Sequence, residues 1–309
     1  MIITITLNPA IDKTAQLEEL QIGELNRLQN IVVDIAGKGI SVARMVSTLG
    51  GTPMTTGFMG EGNGELILNT LDELKIATDF VRVKGDIRTN LKVLDKGTRL
   101  TEINEPGIKV TETGVTKLFD KIAKRAKPGI IFVLSGSICQ GVDTEIYARM
   151  IRLIHQQGAS AFLDTDGEPF RAALEEKPDF IKPNRYELME FFNVEGNLTL
   201  PELKELCVQL IGKGIPMLAL SMGAEGAMFL KGDRCNYAKG LDVICRSPAG
   251  AGDSIVAAFA YGVSTGLSWE KTSKLALAAS AGAVITQGTK PPAREVIEDL
   301  LLQVELGSI

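Results

Sequence analysis

The sequence predicts an α/β fold, in which a doubly wound and mainly parallel sheet is flanked by helices and carries a small β-sheet lid. Beyond about residue 110, apolar strand-like segments alternate with helical patterns, as they do when helical crossovers join parallel strands. Strands are predicted at 130–135, 160–164, 180–182 and 216–221. Helices are predicted at 144–157 and 200–213, because apolar residues recur there three and four positions apart.

Two early segments, 12–35 and 86–104, alternate in a strand-like way without a helix-length pattern between their strands. They predict a small separate sheet, inserted into a single domain that spans residues 1–309. Parallel sheets bind ligands beyond the carboxyl ends of their strands, so a sheet inserted there would act as a lid that excludes water. Polar residues follow the predicted strands at that edge, at 135–137, 164, 182–184 and 221–223.

Composition excludes several classes of function. With 33 Lys and Arg against 38 Asp and Glu, the net charge of −5 argues against a nucleic-acid surface, which needs clustered cations. No apolar segment is long enough to span a bilayer, so no membrane partner is expected. The four cysteines form no CxxC pair, which predicts a reduced, cytoplasmic protein without a zinc site. The single histidine, His155, argues against a histidine metal centre and favours Mg²⁺ held by carboxylates and phosphates.

The strongest motif is Ser-Pro-Ala-Gly-Ala-Gly-Asp-Ser at 247–254, followed at once by a helical pattern at 255–264. Small residues at Gly250, Ala251 and Gly252 let backbone N–H groups approach an anion, and the helix adds the positive end of its dipole. Asp253 then lies at the start of the helix, beside the anion. The alternative is that Asp253 only caps the helix, as aspartate often does.

A second glycine-rich segment, Ala-Gly-Lys-Gly at 36–39, precedes a helical pattern at 40–49. Its backbone donors and Lys38 would suit an anion, although a tight strand-to-helix turn is the structural alternative. It is not a P-loop, because the GxxxxGK[ST] spacing fails and no Ser or Thr follows Lys38.

Polar residues in and near the predicted lid segments add to this pattern: Asp12, Arg27, Arg88, Asn90 and Asn104. Each taken alone is more often a solvated surface residue. The forked guanidinium groups of the two arginines would match a sugar phosphate.

Together these segments resemble the PfkB (ribokinase-like) carbohydrate kinase family, through Gly-Ala-Gly-Asp at 250–253 and Gly-Lys-Gly at 37–39. The resemblance runs through essentially the whole chain. Within the family, the segments 7–9, 23–27, 101–104 and 181–184 are similar to the branch that acts on phosphorylated hexoses. That branch includes fructose-1-phosphate kinase and tagatose-6-phosphate kinase, with the minor 6-phosphofructokinase nearby.

The resemblance implies a role for each matching position. Asp253 would be the general base, and the backbone at Gly250, Ala251 and Gly252 would form the anion hole. ATP would lie against Lys182, Asn184, Ser221, Gly223, Gly226 and Gly252, and Asn184 and Glu187 would orient Mg²⁺ through water. The hexose phosphate would be held by Asp12, Arg27, Gly37, Lys38, Gly39, Ser41, Arg88, Asn90, Asn104 and Ser137. Lids of two subunits would pair in a homodimer.

The chain departs from the family pattern at several positions. Ala36 and Ser41 stand where the family usually has Gly and Asn, 247–249 reads Ser-Pro-Ala, and Ile138-Cys139 replaces Leu-Pro. None of these changes touches the base, so they weaken the sugar assignment and leave kinase chemistry intact. An ordinary carboxylate pKa would suffice for Asp253 if its proton arrives late in the reaction.

Two rival functions remain at this point. A ribose or nucleoside kinase is opposed by Arg27 and Arg88, because a neutral sugar offers two lid arginines nothing to pair with. A catalytically silent sugar-phosphate sensor is opposed by the retention of Asp253 and both glycine-rich loops.

Overall fold

The computed structural model describes residues 1–95, 99–286 and 288–309, so residues 96–98 of the predicted lid lie outside the described part. The strands are β1 (Ile2–Thr6), β2 (Ala10–Leu17), β3 (Gln29–Ala36), β4 (Pro53–Gly60), β5 (Ala77–Thr78), β6 (Val81–Val83), β7 (Arg88–Asp95), β8 (Arg99–Asn104), β9 (Ile131–Ser135), β10 (Ser160–Asp164), β11 (Phe180–Ile181), β12 (Met217–Ser221), β13 (Gly226–Lys231), β14 (Arg234–Lys239) and β15 (Gly307–Ser308). The helices are α1 (Lys38–Thr48), α2 (Glu65–Glu73), α3 (Glu112–Arg125), α4 (Ile146–Gln156), α5 (Gly167–Leu174), α6 (Arg185–Phe192), α7 (Leu200–Gly212), α8 (Ala251–Thr265), α9 (Trp269–Val284) and α10 (Arg294–Leu301).

The main sheet has the strand order β15-β14-β13-β12-β11-β10-β9-β1-β4-β5, and β6 also pairs with β4. The strands from β12 to β5 pair in parallel, and β13 to β15 add an antiparallel edge. Central strands are buried on both faces, as parallel strands covered by helices should be. The prediction of a mainly parallel sheet is confirmed.

Helices cover both faces of this sheet. One hydrophobic cluster contains residues of α2 to α7, and the other contains residues of α1, α8, α9 and α10. On the second face, Phe259 of α8 lies 4.5 Å from Phe180 and 5.6 Å from Phe229, measured between ring centroids. These ring contacts hold the middle of α8 against this face of the sheet. Among the described helices, none has the length and apolar character needed to cross a membrane.

The predicted small sheet is present, with the strand order β3-β2-β7-β8. Its strands extend to Ala10 and Ala36, slightly beyond the predicted segment 12–35. Strand β2 pairs in parallel with β7, so two segments far apart in the chain meet side by side. We call this four-stranded unit the lid sheet.

The predicted core elements agree with the structure to within a few residues. The four predicted strands correspond to β9, β10, β11 and β12, and the predicted helices 144–157 and 200–213 correspond to α4 and α7. Helix α8 begins earlier than the apolar pattern indicated, because small residues extend it back to Ala251. Gly250 is its N-cap, with a φ of 82° that favours glycine. Asp253 therefore lies in the first turn, and the alternative that it is the N-cap is wrong.

Close contact between α1 and β1 places Lys38 at the ligand-binding edge. A Cβ atom at Gly39 would lie 2.7 Å from the Ile5 carbonyl oxygen, and one at Gly37 would lie 2.8 Å from Thr6 Cγ2. Gly37 also has a φ of 128°, which side chains rarely tolerate. Both glycines are thus needed for the turn and the packing.

Candidate active site

A cleft of about 920 Å³ lies between the lid sheet and the carboxyl edge of the main sheet. Most of the site residues predicted from the sequence line this cleft. They are Asp12, Gly37, Lys38, Ser41, Arg88, Asn90, Lys182, Asn184, Glu187, Ser221, Gly223, Gly226, Gly250, Ala251, Gly252 and Asp253. The structure therefore brings together positions spread over more than two hundred residues of sequence.

Four predicted residues lie elsewhere. Gly39 is buried in the first turn of α1, and Arg27 and Asn104 are exposed and do not line the cleft. Ser137 lines a smaller pocket of about 190 Å³, which adjoins the cleft because Lys38 and Arg88 border both. The sugar-phosphate roles of Arg27 and Asn104 stay predictions.

The start of α8, at residues 250–252, is the candidate anion-binding loop. The first N–H groups of a helix have no partner within the helix, so those after Gly250 point into the cleft. The Ser254 hydroxyl donates to the Gly250 carbonyl at 2.7 Å, which closes the turn. A Cβ atom at Gly252 would lie 3.1 Å from the Lys182 ammonium nitrogen, so the backbone passes close to this cation.

Asp164, at the end of β10, holds two lysines beneath that loop. One of its carboxylate oxygens lies 3.4 Å from Lys38 Nζ and 3.3 Å from Lys182 Nζ. Only 1% of the Asp164 side chain and 5% of the Lys182 side chain are exposed. Burial acts to raise the pKa of Asp164, but Lys182 and Lys38 reverse this and hold it below its usual range.

Asp253 lies beside this group of charges at the floor of the cleft. Burial, together with the nearby Asp164 carboxylate, raises the pKa of Asp253 to about 7, against the attraction of Lys38 and Lys182 and a hydrogen bond from Ser41. An ordinary carboxylate pKa would suffice for a late proton transfer, but in the structure the pKa of this carboxyl is raised above that range. The sequence could not show the burial or the second carboxylate.

The pKa of Lys38 is raised. Burial alone would lower it, but Asp164 and Asp253 are the leading charges that favour the ammonium form. Lys38 thus stays a cation next to Asp253 throughout the physiological pH range.

The two residues predicted to orient Mg²⁺ cap α6. Asn184 Oδ1 accepts from the Glu187 N–H at 2.9 Å, and Glu187 Oε2 accepts from the Asn184 N–H at 2.8 Å. This capping box fixes both side chains at the cleft and leaves the second Glu187 oxygen available. Among the described residues, no group of three His, Cys, Asp or Glu could hold a metal ion. The arrangement fits a hydrated Mg²⁺ that binds mainly through nucleotide phosphates.

The smaller pocket is rich in polar atoms without partners. Thr6 Oγ1, Asn8 Oδ1, Ser135 Oγ and Arg88 Nε are buried and have no hydrogen-bond partner among the described residues. Buried polar groups are rarely left unsatisfied, so such atoms indicate a polar ligand or water. Ser137 Oγ accepts from Asn8 Nδ2 at 3.5 Å on the same wall.

Comparison with known proteins identifies the family. A sequence profile described as pfkB family carbohydrate kinase matches residues 2–295. The chain belongs to the pfkB carbohydrate kinase family. The 1-phosphofructokinase of Vibrio cholerae is 32% identical over 308 residues, covering 100% of the chain and 97% of that protein. That of Xanthomonas campestris is 33% identical over 313 residues, covering 99% and 98%.

A solved structure gives the same fold. Phosphofructokinase-2 from Escherichia coli, in complex with substrates and products, has a TM-score of 0.92 at 26% identity, with 98% of each chain covered. The resemblance inferred from the sequence motifs is confirmed. As a pfkB kinase, the protein is an ATP-dependent carbohydrate kinase.

Some cleft residues were missed or left without a role by the sequence motifs. Asp164 was placed at the right edge, but nothing showed that it would bind two lysines. Asp166 and Thr289 also line the cleft of this kinase. Lys92 does not line the cleft but contacts Asp12, which does, and it was also missed. It lies two residues after Asn90 on the same strand, so strand alternation gave the signal for it.

The raised pKa of Asp253 predicts how activity depends on pH. Because the base must be deprotonated, kcat/KM for the sugar should rise with pH and reach half its plateau near pH 7. Ser41→Ala removes a hydrogen bond that lowers this pKa, so the rise should move to higher pH. Steady-state kinetics across pH for both proteins measures this.

A phosphorylated substrate also titrates, with a second pKa of about 6. A substrate titration would be the same for wild type and Ser41→Ala. Identical profiles with a midpoint near that value would contradict the assignment to Asp253.

Proposed function

We propose that this kinase transfers the γ-phosphoryl group of ATP to fructose 1-phosphate, giving fructose 1,6-bisphosphate. The names of its Vibrio and Xanthomonas relatives support this substrate. The observation that carries it is Arg88, whose buried Nε lacks a partner among the described residues and borders both the cleft and the polar pocket. A guanidinium held there suits a substrate that already bears a phosphate.

Asp253 acts as the general base in this proposal. The free hydroxyl of the sugar phosphate attacks the γ-phosphorus and its proton passes to the Asp253 carboxylate, while the bond between the γ-phosphorus and the bridging oxygen breaks and leaves ADP. The transition state is loose, so alignment and charge stabilisation account for most of the catalysis. A pKa of about 7 suits a group that receives a proton near neutral pH.

The anion-binding loop stabilises the phosphoryl group in transfer. Backbone N–H groups of Ala251 and Gly252 donate to its oxygens, and the α8 dipole adds positive potential. Lys182 lies directly behind Gly252, and Lys38 lies on the sugar side of Asp253. Asp164 keeps both ammonium groups in place, as a buried carboxylate bound to two cations does.

The nucleotide occupies the opposite end of the cleft. Ser221, Gly223 and Gly226 border this end. Apart from its chain neighbours, no described residue has an atom within 4 Å of the Cβ position of Gly223, which leaves room for a flat base or ribose. A Cβ atom at Gly226 would lie 2.1 Å from the Ala238 carbonyl oxygen, so this glycine is required by the packing of the backbone. Asn184 and Glu187 would hold the water shell of Mg²⁺, which would supply charge neutralisation of the ATP phosphates when bound.

The relative activity of the protein on a panel of substrates tests whether fructose 1-phosphate is the preferred one. Wild-type protein should turn over fructose 1-phosphate with the highest kcat/KM in a panel that contains tagatose 6-phosphate, fructose 6-phosphate, fructose, ribose and adenosine. A coupled ADP-release assay measures each rate. Faster turnover of an unphosphorylated sugar or nucleoside than of every hexose phosphate would refute the proposal, and absence of turnover with any would favour a silent sensor.

The lid sheet closes over the sugar and pairs with a second lid in a homodimer. Ile31, Val33 and Ile103 are all exposed, and strand alternation puts them on the face opposite to Asp12. Exposed apolar residues grouped on one sheet face are typical of an interface.

A reduced cytoplasmic setting suits the four free cysteines.

Light scattering at micromolar concentration tests the pairing of the lids. The mass should be twice the 33.2 kDa of the chain, and Val33→Asp should shift it toward the monomer because a charge is costly in an apolar interface. A fully active wild-type monomer at that concentration would contradict the proposed dimer.

A further inference from the structure

The cleft-facing side of the lid sheet carries its polar residues in registered rows. Asp34 of β3, Asp12 of β2, Asn90 of β7 and Asn104 of β8 are successive neighbours across the four strands. Because side chains alternate along a strand, the residues two positions away from these lie on the same face. Arg88 and Lys92 therefore flank Asn90 on β7 and share its face.

Each of the two acids in this row has its own cation. Lys92 Nζ lies 2.7 Å from Asp12 Oδ2, and Asn90 Nδ2 donates to Asp12 Oδ1 at 2.8 Å. Arg44 Nη1 lies 3.4 Å from Asp34 Oδ1. Both oxygens of Asp12 are thus engaged, in a place where 8% of its side chain and 17% of that of Lys92 are exposed.

Arg88 lies on the same face, and no acidic side chain among the described residues forms an ion pair with it. It is half-buried, and among the described residues it forms no ion pair and its Nε has no hydrogen-bond partner. Burial lowers the pKa of Arg88, and the charge that opposes this effect is Asp12. Asp12 is therefore a carboxylate whose charge acts on Arg88, and Lys92 already occupies it.

Glu102 is the other acid next to Lys92. It lies directly opposite Lys92 on β8 and is exposed, whereas the Lys92 ammonium donates to the buried Asp12. A buried pair is screened less by solvent than a surface pair, so Asp12 is the stronger partner.

We propose that Lys92 is a positioning residue that occupies Asp12 and so keeps Arg88 free to bind the phosphate of the sugar substrate. This inference rests on the proposed sugar-phosphate kinase function and names the residue that sustains its specificity. With Lys92 present, Arg88, Asp12 and Lys92 sum to one positive charge. Without Lys92 the remaining pair is neutral, and Asp12 would draw Arg88 into an internal ion pair that competes with the substrate.

A double-mutant cycle tests this competition. The four proteins are wild type, Lys92→Met, Asp12→Asn and the double variant, and calorimetric titration with fructose 1-phosphate gives Kd for each. Lys92→Met alone should raise Kd about tenfold or more, the cost of losing a charge-assisted contact to the phosphate. In the Asp12→Asn background the same change should cost little, because no acid remains to capture Arg88. The contact that Asp12 itself makes with the sugar cancels in this comparison.

Kinetics separate positioning from a structural role. Lys92→Met should raise KM for the sugar phosphate and leave KM for ATP little changed, and Lys92→Arg should restore the wild-type value because it keeps the charge on Asp12. If Lys92→Met does not fold, Lys92→Gln takes its place in the cycle, since its amide can still donate to Asp12 but carries no charge. An equal rise of both KM values would overturn the proposal.

Two outcomes distinguish a failure of this inference from a failure of the proposed function. If Lys92→Met costs the same factor with Asp12 and with the Asp12→Asn substitution, Lys92 does not act through Asp12 and the inference is wrong. If Arg88→Ala leaves Kd for fructose 1-phosphate unchanged, the phosphate contact itself is wrong, and the proposed function fails with it. If the Lys92→Met and Asp12→Asn effects on Kd are non-additive and Arg88→Ala raises Kd strongly, the results support both the role of Lys92 and the proposed function.

Discussion

Burial of the Asp164 carboxylate between Lys38 and Lys182 is the interaction on which the rest of the site depends. The two lysines come from different parts of the chain, one at the start of α1 and one after β11, and only the end of β10 brings them together. Without this carboxylate, the buried ammonium group of Lys182 and the partly buried one of Lys38 would repel each other, and Lys182 would lose hydration without compensation. With it, they form a cationic floor under the anion-binding loop.

The same three charged groups also help to determine the pKa of Asp253. Asp164 raises the pKa of Asp253, while Lys38 and Lys182 lower it, and burial leaves the result near 7. A group that can either hold or release a proton near neutral pH therefore lies beside the free N–H groups at the start of α8. In the lid sheet, acidic side chains are likewise paired with cationic ones. Asp12 and Asp34 are each paired with a cation, and the Nε of Arg88 is left without a hydrogen-bond partner among the described residues.

Local sequence patterns predicted much of this molecule. The apolar runs that became β9, β10 and β12 and the helical periods of α4 and α7 identified the parallel sheet, because burial on both faces and amphipathic spacing leave clear patterns. Glycine-rich turns before α1 and α8 correctly marked where two helices begin at the cleft. The lid segments were recognisable from alternation, but the parallel pairing of β2 with β7 was not, since nothing local specifies which distant strand is the neighbour. For the same reason, sequence gave no sign of the raised Asp253 pKa, which depends on Asp164, Lys38 and Lys182 meeting in space.

That Asp253 is the base at the centre of this charge network is tested most directly by Asp253→Asn. Asparagine keeps the size and the hydrogen-bonding ability of the side chain in the first turn of α8, but it cannot receive the hydroxyl proton. Single-turnover and steady-state rates with ATP and fructose 1-phosphate should fall by at least about 10²-fold, the lower range for general-base catalysis, while Kd for both ligands changes little. A variant that binds both ligands normally and turns over within a few-fold of wild type would contradict the mechanism.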